Sequence, residues 1–319
     1  MDNTTSFTLT KVAPWTDGFW FYSITDPLEK DAIVILNPAT VNWQAPLLAR
    51  SRKSLDEHIQ YIQENQITKA VIVAENIEFI RQCPSLEYLW IIPAWEAKTF
   101  DYSPLYDLPN LHWLDCQMVY GPRDNQIAHM DFSRLSAIQT LHIRGKKGNQ
   151  NLNKLRGLTN VSFSEGQPAS KDLSDSLIMD DLMKLDICQS KLRSLHGIEN
   201  AQKLKTMVLS YNRSLEDISA LSALRDTLTV LSIESCGKVR DFSVLYDLHN
   251  LEHLNLNGSN ELPNLEFLRG MPNLKTFVFS MNVLDGDLTL CKTIPYASCN
   301  NKRHYNLKDK DLPKQLPTP

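Results

Sequence analysis

Between Leu192 and Asn212 the chain reads LRSLHGIENAQKLKTMVLSYN, and its apolar positions are Leu192, Leu195, Ile198, Ala201, Leu204, Met207 and Leu209. The interval is three, repeatedly, and then two. A step of three suits a 3₁₀-like arc, in which side chains at i and i+3 eclipse. A step of two suits a strand, whose alternate side chains share a face. The segment therefore predicts a tight arc that feeds a short strand. Such a unit cannot bury its apolar stripe alone and needs copies of itself on either side.

The copies are present. An apolar-x-apolar strand core recurs at Leu89/Ile91, Leu114/Cys116, Leu141/Ile143, Val161/Phe163, Leu185/Ile187, Met207/Leu209, Leu231/Ile233, Leu254/Leu256 and Phe277/Phe279, with a weaker member at Ala70/Ile72. Successive cores lie 19 to 27 residues apart. VRDFSVLYDLHNLEHLNLNGS and LPNLEFLRGMPNLKTFVFSMN repeat the arc and strand in register.

The pattern LxxLxxLxxLxxLxLxxN resembles the leucine-rich repeat family in its short subclass of roughly 22 residues, which includes internalins and phosphatase-regulating repeat proteins. The resemblance covers about 67–290. It implies an α/β solenoid, a horseshoe with a parallel sheet on its concave side and 3₁₀ or short helical segments on its convex side. It also implies a protein-binding role on the concave face.

The ends depart from the repeat. Residues 1–66 read as an α/β capping segment. Ala32-Ile33-Val34-Ile35-Leu36 is a continuous apolar run, as expected of a buried strand. Ser54 with Glu57 opens a helix by a capping box, and Leu55, Ile59 and Ile62 follow at helical spacing to a stop near Asn65. Strand, helix and parallel strand make a crossover unit, so the Ile33 strand is expected beside the Val71 strand. Residues 291–319 read as a polar C-terminal cap and flexible tail, with an edge strand near Ile294 and Tyr296. The polar stretch 145–150 and the Gly- and Pro-containing stretch 165–176 interrupt the array.

Composition changes this picture little. At 42% hydrophobic and 22% charged residues, with net charge −4 and pI about 6.1, the chain has no basic field for nucleic acid and no polybasic patch for a membrane. No apolar run approaches the ~20 residues that span a bilayer. MDNTTSFTLTKVAPW lacks an apolar signal core, and the six cysteines are scattered without a CxxC pair. Both point to a reducing cytoplasm and free thiols. A monomer is expected.

The alternation of each strand maps the outward face. Before, between and after the core pairs stand Tyr88, Trp90, Trp113, Asp115, Gln117, His142, Arg144, Lys184, Asp186, Glu234, His253 and Asn255, and these are the candidate binding residues. Val71, Val73, Tyr88, Trp90, Ile92 and Trp113 form a strongly apolar start, covered either by the cap or by a partner. All six tryptophans fall within the first 113 residues, a cap core or an exposed hot spot. Asn212, Asn282, Ser190, Ser259 and Cys236 occupy the ladder position three residues after the strand core.

No constellation supports catalysis. His142 and Asp115 sit on adjacent strands but lack a nucleophile with a supporting base. Cys188 faces outward without one. Cys291, Cys299 and His304 match no zinc template. No metal, cofactor or enzymatic activity is expected. The reading is a non-enzymatic scaffold for a protein partner, with an immunity protein against a cognate toxin, an internalin-like surface adhesin and a small-ligand module as alternatives.

Overall fold

The computed structural model describes residues 12–16, 19–22, 32–37, 53–94, 97–116, 128–145, 149–166 and 168–315. The chain divides into two compact units, Met1–Ile143 with Gly148–Asn151, and Arg144–Lys147 with Leu152–Pro319.

The first unit contains β1 (Val12–Thr16), β2 (Phe19–Tyr22), β3 (Ala32–Asn37), α1 (Leu55–Asn65), β4 (Lys69–Ala74), β5 (Tyr88–Pro93), β6 (Trp113–Asp115) and β7 (Thr140–Arg144). β1, β2 and β3 pair antiparallel in turn, and from β3 to β7 each strand pairs parallel with the next. The crossover expected from the sequence forms, with Ile33 opposite Ala70 and Val34 opposite Val71. α1 begins as the capping box requires: Glu57 N–H donates to Ser54 Oγ at 3.2 Å, and Ser54 N–H donates to the Glu57 carboxylate at 2.7 Å. That amide bond, helped by the Lys53 ammonium, holds the Glu57 carboxyl at about 2.

The second unit contains β8 (Asn160–Ser164), β9 (Lys184–Cys188), β10 (Thr206–Ser210), β11 (Val230–Glu234), β12 (His253–Asn257), β13 (Glu261–Leu262), β14 (Thr276–Phe279), β15 (Asn282–Val283) and β16 (Tyr296–Cys299). β8, β9, β10, β11, β12, β14 and β16 pair parallel in that order without a slip. β13 and β15 form a separate two-stranded ribbon.

The step of three is visible as hydrogen bonds. Ile198 donates to Leu195 O at 3.0 Å, Ala201 to Ile198 O at 2.9 Å, and Leu204 to Ala201 O at 2.9 Å. Each bond joins consecutive apolar residues of the arc, and all four are fully buried. The carbonyl ahead of each strand then accepts twice from the next repeat: Met183 O from Lys205 and Thr206, and Lys205 O from Thr229 and Val230.

Two local devices complete the repeat. Asp-apolar-Ser/Thr triplets precede the arcs at Asp101, Asp131, Asp172, Asp217, Asp241 and Asp287. In each, the carboxylate accepts from the backbone N–H two residues on at 2.8–3.1 Å, while the middle residue is buried. These are Asx turns, which set the direction of the chain as it enters the arc. After the strands, Glu165, Gln189, Tyr211 and Ser235 take left-handed φ of 53–57°. Each donates its N–H to the last carbonyl of the next strand, as Tyr211 does to Glu234 O at 2.8 Å.

The polar ladder runs beneath these turns. Asn212, with no exposed surface, accepts from the Ser190 N–H and hydroxyl and donates to Ile187 O at 2.7 Å. Cys236 is a small filler whose thiol points to Leu209 O. The next rung is not Ser259, which is exposed, but Asn260, which donates to Val239 O at 2.6 Å. Gly258, at φ 151°, inserts the extra residue that shifts the register. Nor is Asn282 a rung: it lies in β15, and the Tyr305 hydroxyl instead donates to Met281 O and accepts from the Val283 N–H. Phe163 also departs from expectation. It is half-buried, and lines a small cavity with Leu152, Leu173 and Leu177 where the irregular stretch replaces an arc.

The expected late edge strand forms as β16, with Ala297 and Cys299 rather than Ile294 and Tyr296 in strand-core register. Its outer edge is covered by the chain itself: Ala297 N–H donates to Pro313 O and Gln315 N–H to Pro295 O, each at 3.0 Å. Covering an edge in this way removes a template for strand addition.

Candidate functional site

The candidate residues fall into three groups. Trp90 and Trp113 are 7% and 2% exposed, in a cluster with Val34, Leu36, Val71, Val73 and Ile92, and Tyr88 packs partly against it. These residues all belong to the first unit and lie on the opposite side of its sheet from the Leu89/Ile91 layer. Of the two alternatives for these tryptophans, a core or an exposed hot spot, their burial supports the core. A column this apolar is stable only out of water, so it forms a second buried layer. Among the other tryptophans, Trp43 and Trp95 lie outside the described residues, as does Gln117.

Asp115 is buried at 2% exposure, so it too presents no open surface. Its Oδ2 lies 3.3 Å from His142 Nδ1, and the imidazole meets the Trp113 ring edge-on at 5.3 Å. The histidine is half-buried. The pair links β6 to β7, with the Trp113 ring against the imidazole. Arg144 is held at 2.6–2.7 Å by Glu165, within the second unit.

The remaining candidates share the outward face of the second unit. Their register is strict: Lys184, Thr206, Val230, His253, Thr276 and Tyr296 form one column. Asp186, Val208, Ser232, Asn255, Val278 and Ser298 form the next. Lys184 is exposed, and Asp186, Glu234, His253 and Asn255 are half-buried. Asn255 donates to Ser232 Oγ at 3.1 Å and accepts from Asn257 at 2.7 Å, so its amide is orientated by its neighbours. Four small hydroxyl residues, Thr206, Thr276, Ser232 and Ser298, are interspersed with larger ones on this face.

Beside the face, at the C-terminal ends of the strands, the structure adds residues that strand alternation does not reach. Gln189, Ser190, Lys191, Tyr211, Arg213 and Ser214 enclose a depression of about 400 Å³. Glu234, already a candidate by alternation, contributes with Asn257, Ser280, Ser298 and Asn300 to another of about 440 Å³. The signal for the first was the polar residue placed after each strand, which the left-handed turn lifts outward.

Thiol chemistry finds no support here. Burial pushes Cys83 and Cys236 up to about 11 and Cys291 up to about 12, and raises Cys116 further. Cys188 and Cys299 are also raised, by burial first and then by neighbouring carboxylates. A thiol held above its ordinary value carries little thiolate, the nucleophilic form. His58 is buried in the first unit, which lowers its pKa, and its Nδ1 lies 2.8 Å from Ser54 O. Among the described residues no group of three or more His, Cys, Asp or Glu side chains is arranged to hold a metal ion, and no helix is long and apolar enough to cross a membrane.

No protein-family model matches the chain, and no curated protein matches it. Solved structures similar to it include an internalin of Listeria monocytogenes, at 16% identity and TM-score 0.48, covering 74% of this chain and 76% of that one. A leucine-rich repeat protein of Leptospira interrogans is 12% identical with TM-score 0.39, covering 81% and 84%. A plant peptide hormone receptor is 15% identical with TM-score 0.32, covering 75% and 49%. The arcs, the parallel one-to-one register and the buried ladder make the fold of this chain a leucine-rich repeat solenoid.

Proposed function

We propose that the chain is a non-enzymatic scaffold that binds a protein partner on the outward sheet face of its second unit. The observation that carries this reading is the register of β9 to β12. Four strands align residue for residue, and their outward positions stay open to solvent and mostly polar: Lys184, Asp186, Thr206, Ser232, His253 and Asn255, with Val208 and Val230 among them. The first unit's outward face is already filled by its own tryptophan layer. A partner here would meet orientated amides and hydroxyls with charge at the margins, a composition suited to specific polar recognition. Toxin neutralisation and surface adhesion are narrower forms of the same reading, separated by what the partner is.

The test is cross-linking capture from the native cell with wild type and with Ser232→Arg/Asn255→Arg, identified by mass spectrometry. Two long cations on the central column should abolish one specific capture while leaving the circular dichroism unchanged. Identical capture by both proteins refutes the reading.

A further inference from the structure

The C-terminal ends of the second unit's strands change character after β11. Gln189, Tyr211 and Ser235 close the ends of β9, β10 and β11 by donating to Ser210 O, Glu234 O and Asn257 O at 2.8–2.9 Å. After β12 the inserted Gly258 donates instead to the Ser280 hydroxyl at 3.0 Å. Here lies the depression of about 440 Å³, whose lining includes Glu234, Asn257, Val278, Ser280 and Asn300. Glu234 is the one charged side chain in that lining, and it is half-buried. Elsewhere in this unit charges on neighbouring repeats are paired: Lys203 with Asp181 at 2.7 Å, Lys238 with Glu216 at 3.2 Å, and Lys275 with Glu252 at 2.6 Å. Among the described residues the Glu234 carboxylate makes no ion pair, with Arg213 or with any other cation. Asn257 stands opposite Glu234 in register. A relay of amides orients it: Asn255 donates to Ser232 Oγ at 3.1 Å and accepts from Asn257 Nδ2 at 2.7 Å. The Asn257 oxygen ends the relay, and among the described residues it accepts no hydrogen bond. The depression thus offers a carboxylate and an amide oxygen side by side, both acceptors and both open.

We infer that this depression takes an arginine side chain of the protein partner, with its guanidinium held between Glu234 and Asn257. The inference rests on the proposed protein-binding role and names the chemistry of what is bound. Glu234 and Asn257 sit on adjacent paired strands, which stand ~4.8 Å apart. A guanidinium is planar and carries only donors. One edge can give two parallel hydrogen bonds to the carboxylate. An N–H on its far edge then points across the strand spacing to the amide oxygen. Val278, half-buried in the same lining, meets the methylene stem, as long cationic side chains lay their stems on apolar surface. A lysine ammonium is a point charge and forgoes the parallel pair. An acidic side chain would set carboxylate against carboxylate and is excluded.

The experiment is a nuclear magnetic resonance titration of the isotope-labelled full chain, at low salt, with a capped Gly/Ser heptapeptide that carries one central Arg. The same peptide with Lys or with citrulline at the centre provides the comparison. The expected result is saturable shifts of the Asn257 side-chain amide and of the Gly258 and Ser280 backbone signals. Lys should bind about three- to tenfold more weakly than Arg, because it lacks the planar fork. Citrulline keeps the shape without the charge and should not bind measurably. Glu234→Gln, which keeps the size of the side chain, should weaken the Arg peptide about tenfold, the difference between a charge-assisted and a neutral hydrogen bond. Unchanged thermal unfolding of that variant is the folding control. Shifts that do not saturate, that map away from Asn257, that are as strong with Lys, or that survive Glu234→Gln overturn the inference. If that happens while Ser232→Arg/Asn255→Arg still abolishes capture, the scaffold reading stands and this depression is not its contact. Arginine binding as expected, alongside capture indifferent to the face variant, moves the partner from the face to the depression.

Discussion

In the first unit the outward positions of β3, β4 and β5 are Val34, Val71 and Trp90, and all are buried. In the second unit the outward positions of β9 to β12 are Asp186, Val208, Ser232 and Asn255, and all are half-exposed. The pairing is parallel in both and the inward positions are equally apolar. What differs is only the set of residues between them. β4 reads KAVIVA and is buried from Ala70 to Ala74, whereas β11 reads VLSIE and alternates. A strand between two apolar layers loses its alternation; a strand with one wet face keeps it. The same backbone thus serves as an interior in one place and as a surface in the other.

The largest test of this contrast places a charge at equivalent positions. Val71→Arg buries a cation in the tryptophan layer and should unfold the first unit, because an unpaired buried charge costs several kcal/mol or more. Val208→Arg should leave the fold intact, with a change within about 0.5 kcal/mol as for other surface substitutions. Loss of near-ultraviolet circular dichroism in the first variant alone is the expected readout. Removing Trp113 by substitution with Ala should cost about 3–5 kcal/mol in urea unfolding, the range for a large buried aromatic. A cost below about 1 kcal/mol would mean that the layer is not a packed core.

In the second unit the cost lies beneath the surface instead. Asn212→Ala strands the Ser190 N–H and the Ile187 carbonyl, and about 2–3 kcal/mol of destabilisation is expected, since each buried polar group left unpaired costs about 1–3. Acid should then separate the units. Burial lowers the His58 pKa, so the folded state holds its proton less tightly than the unfolded chain. That contribution is complete above its ordinary value of 6.5 and is lost as pH falls through it. The Asx-turn carboxylates of Asp172, Asp241 and Asp287 in the second unit are lowered by hydrogen bonds from the turn residues they cap, and their contribution persists down to their ordinary value of 3.8 and is lost below it. Hydrogen exchange at about pH 5.5 should show opening near α1 while β9 to β12 stay protected, because histidine titrates in that range and carboxylates do not. The smallest effect is a gain. Tyr211 holds φ of 57°, and Tyr211→Gly should stabilise the turn by up to about 1 kcal/mol in thermal unfolding.

The steps of three and two between Leu192 and Leu209 were enough to read the arc, the strand and their repetition. Ser54 with Glu57 was enough to place the start of α1. The Asp-apolar-Ser/Thr triplets were equally present in the chain and mark the entrance to six of the arcs, but they lie outside the apolar period that organised the reading. Asn260 escaped for a related reason. A single inserted glycine at 258 displaces the rung by one residue, and a fixed offset from the strand core cannot register it. Of the candidate site, the columns from Lys184 to Asn255 were legible, because strand alternation dictates them.

The apolar period by itself determined the solenoid repeat, since eclipsed side chains every three residues can be buried only by stacking. It also determined which side of each strand faces the shared core. What the tertiary structure alone decided is whether the other side is a surface. Val71, Trp90 and Trp113 are outward by period yet buried, because hydrophobic burial depends on the sum of what surrounds a side chain and not on its place in a repeat. The depressions beside the face were decided there as well: Lys191 and Arg213 come from separate repeats, and only the stacking of the strands brings them together.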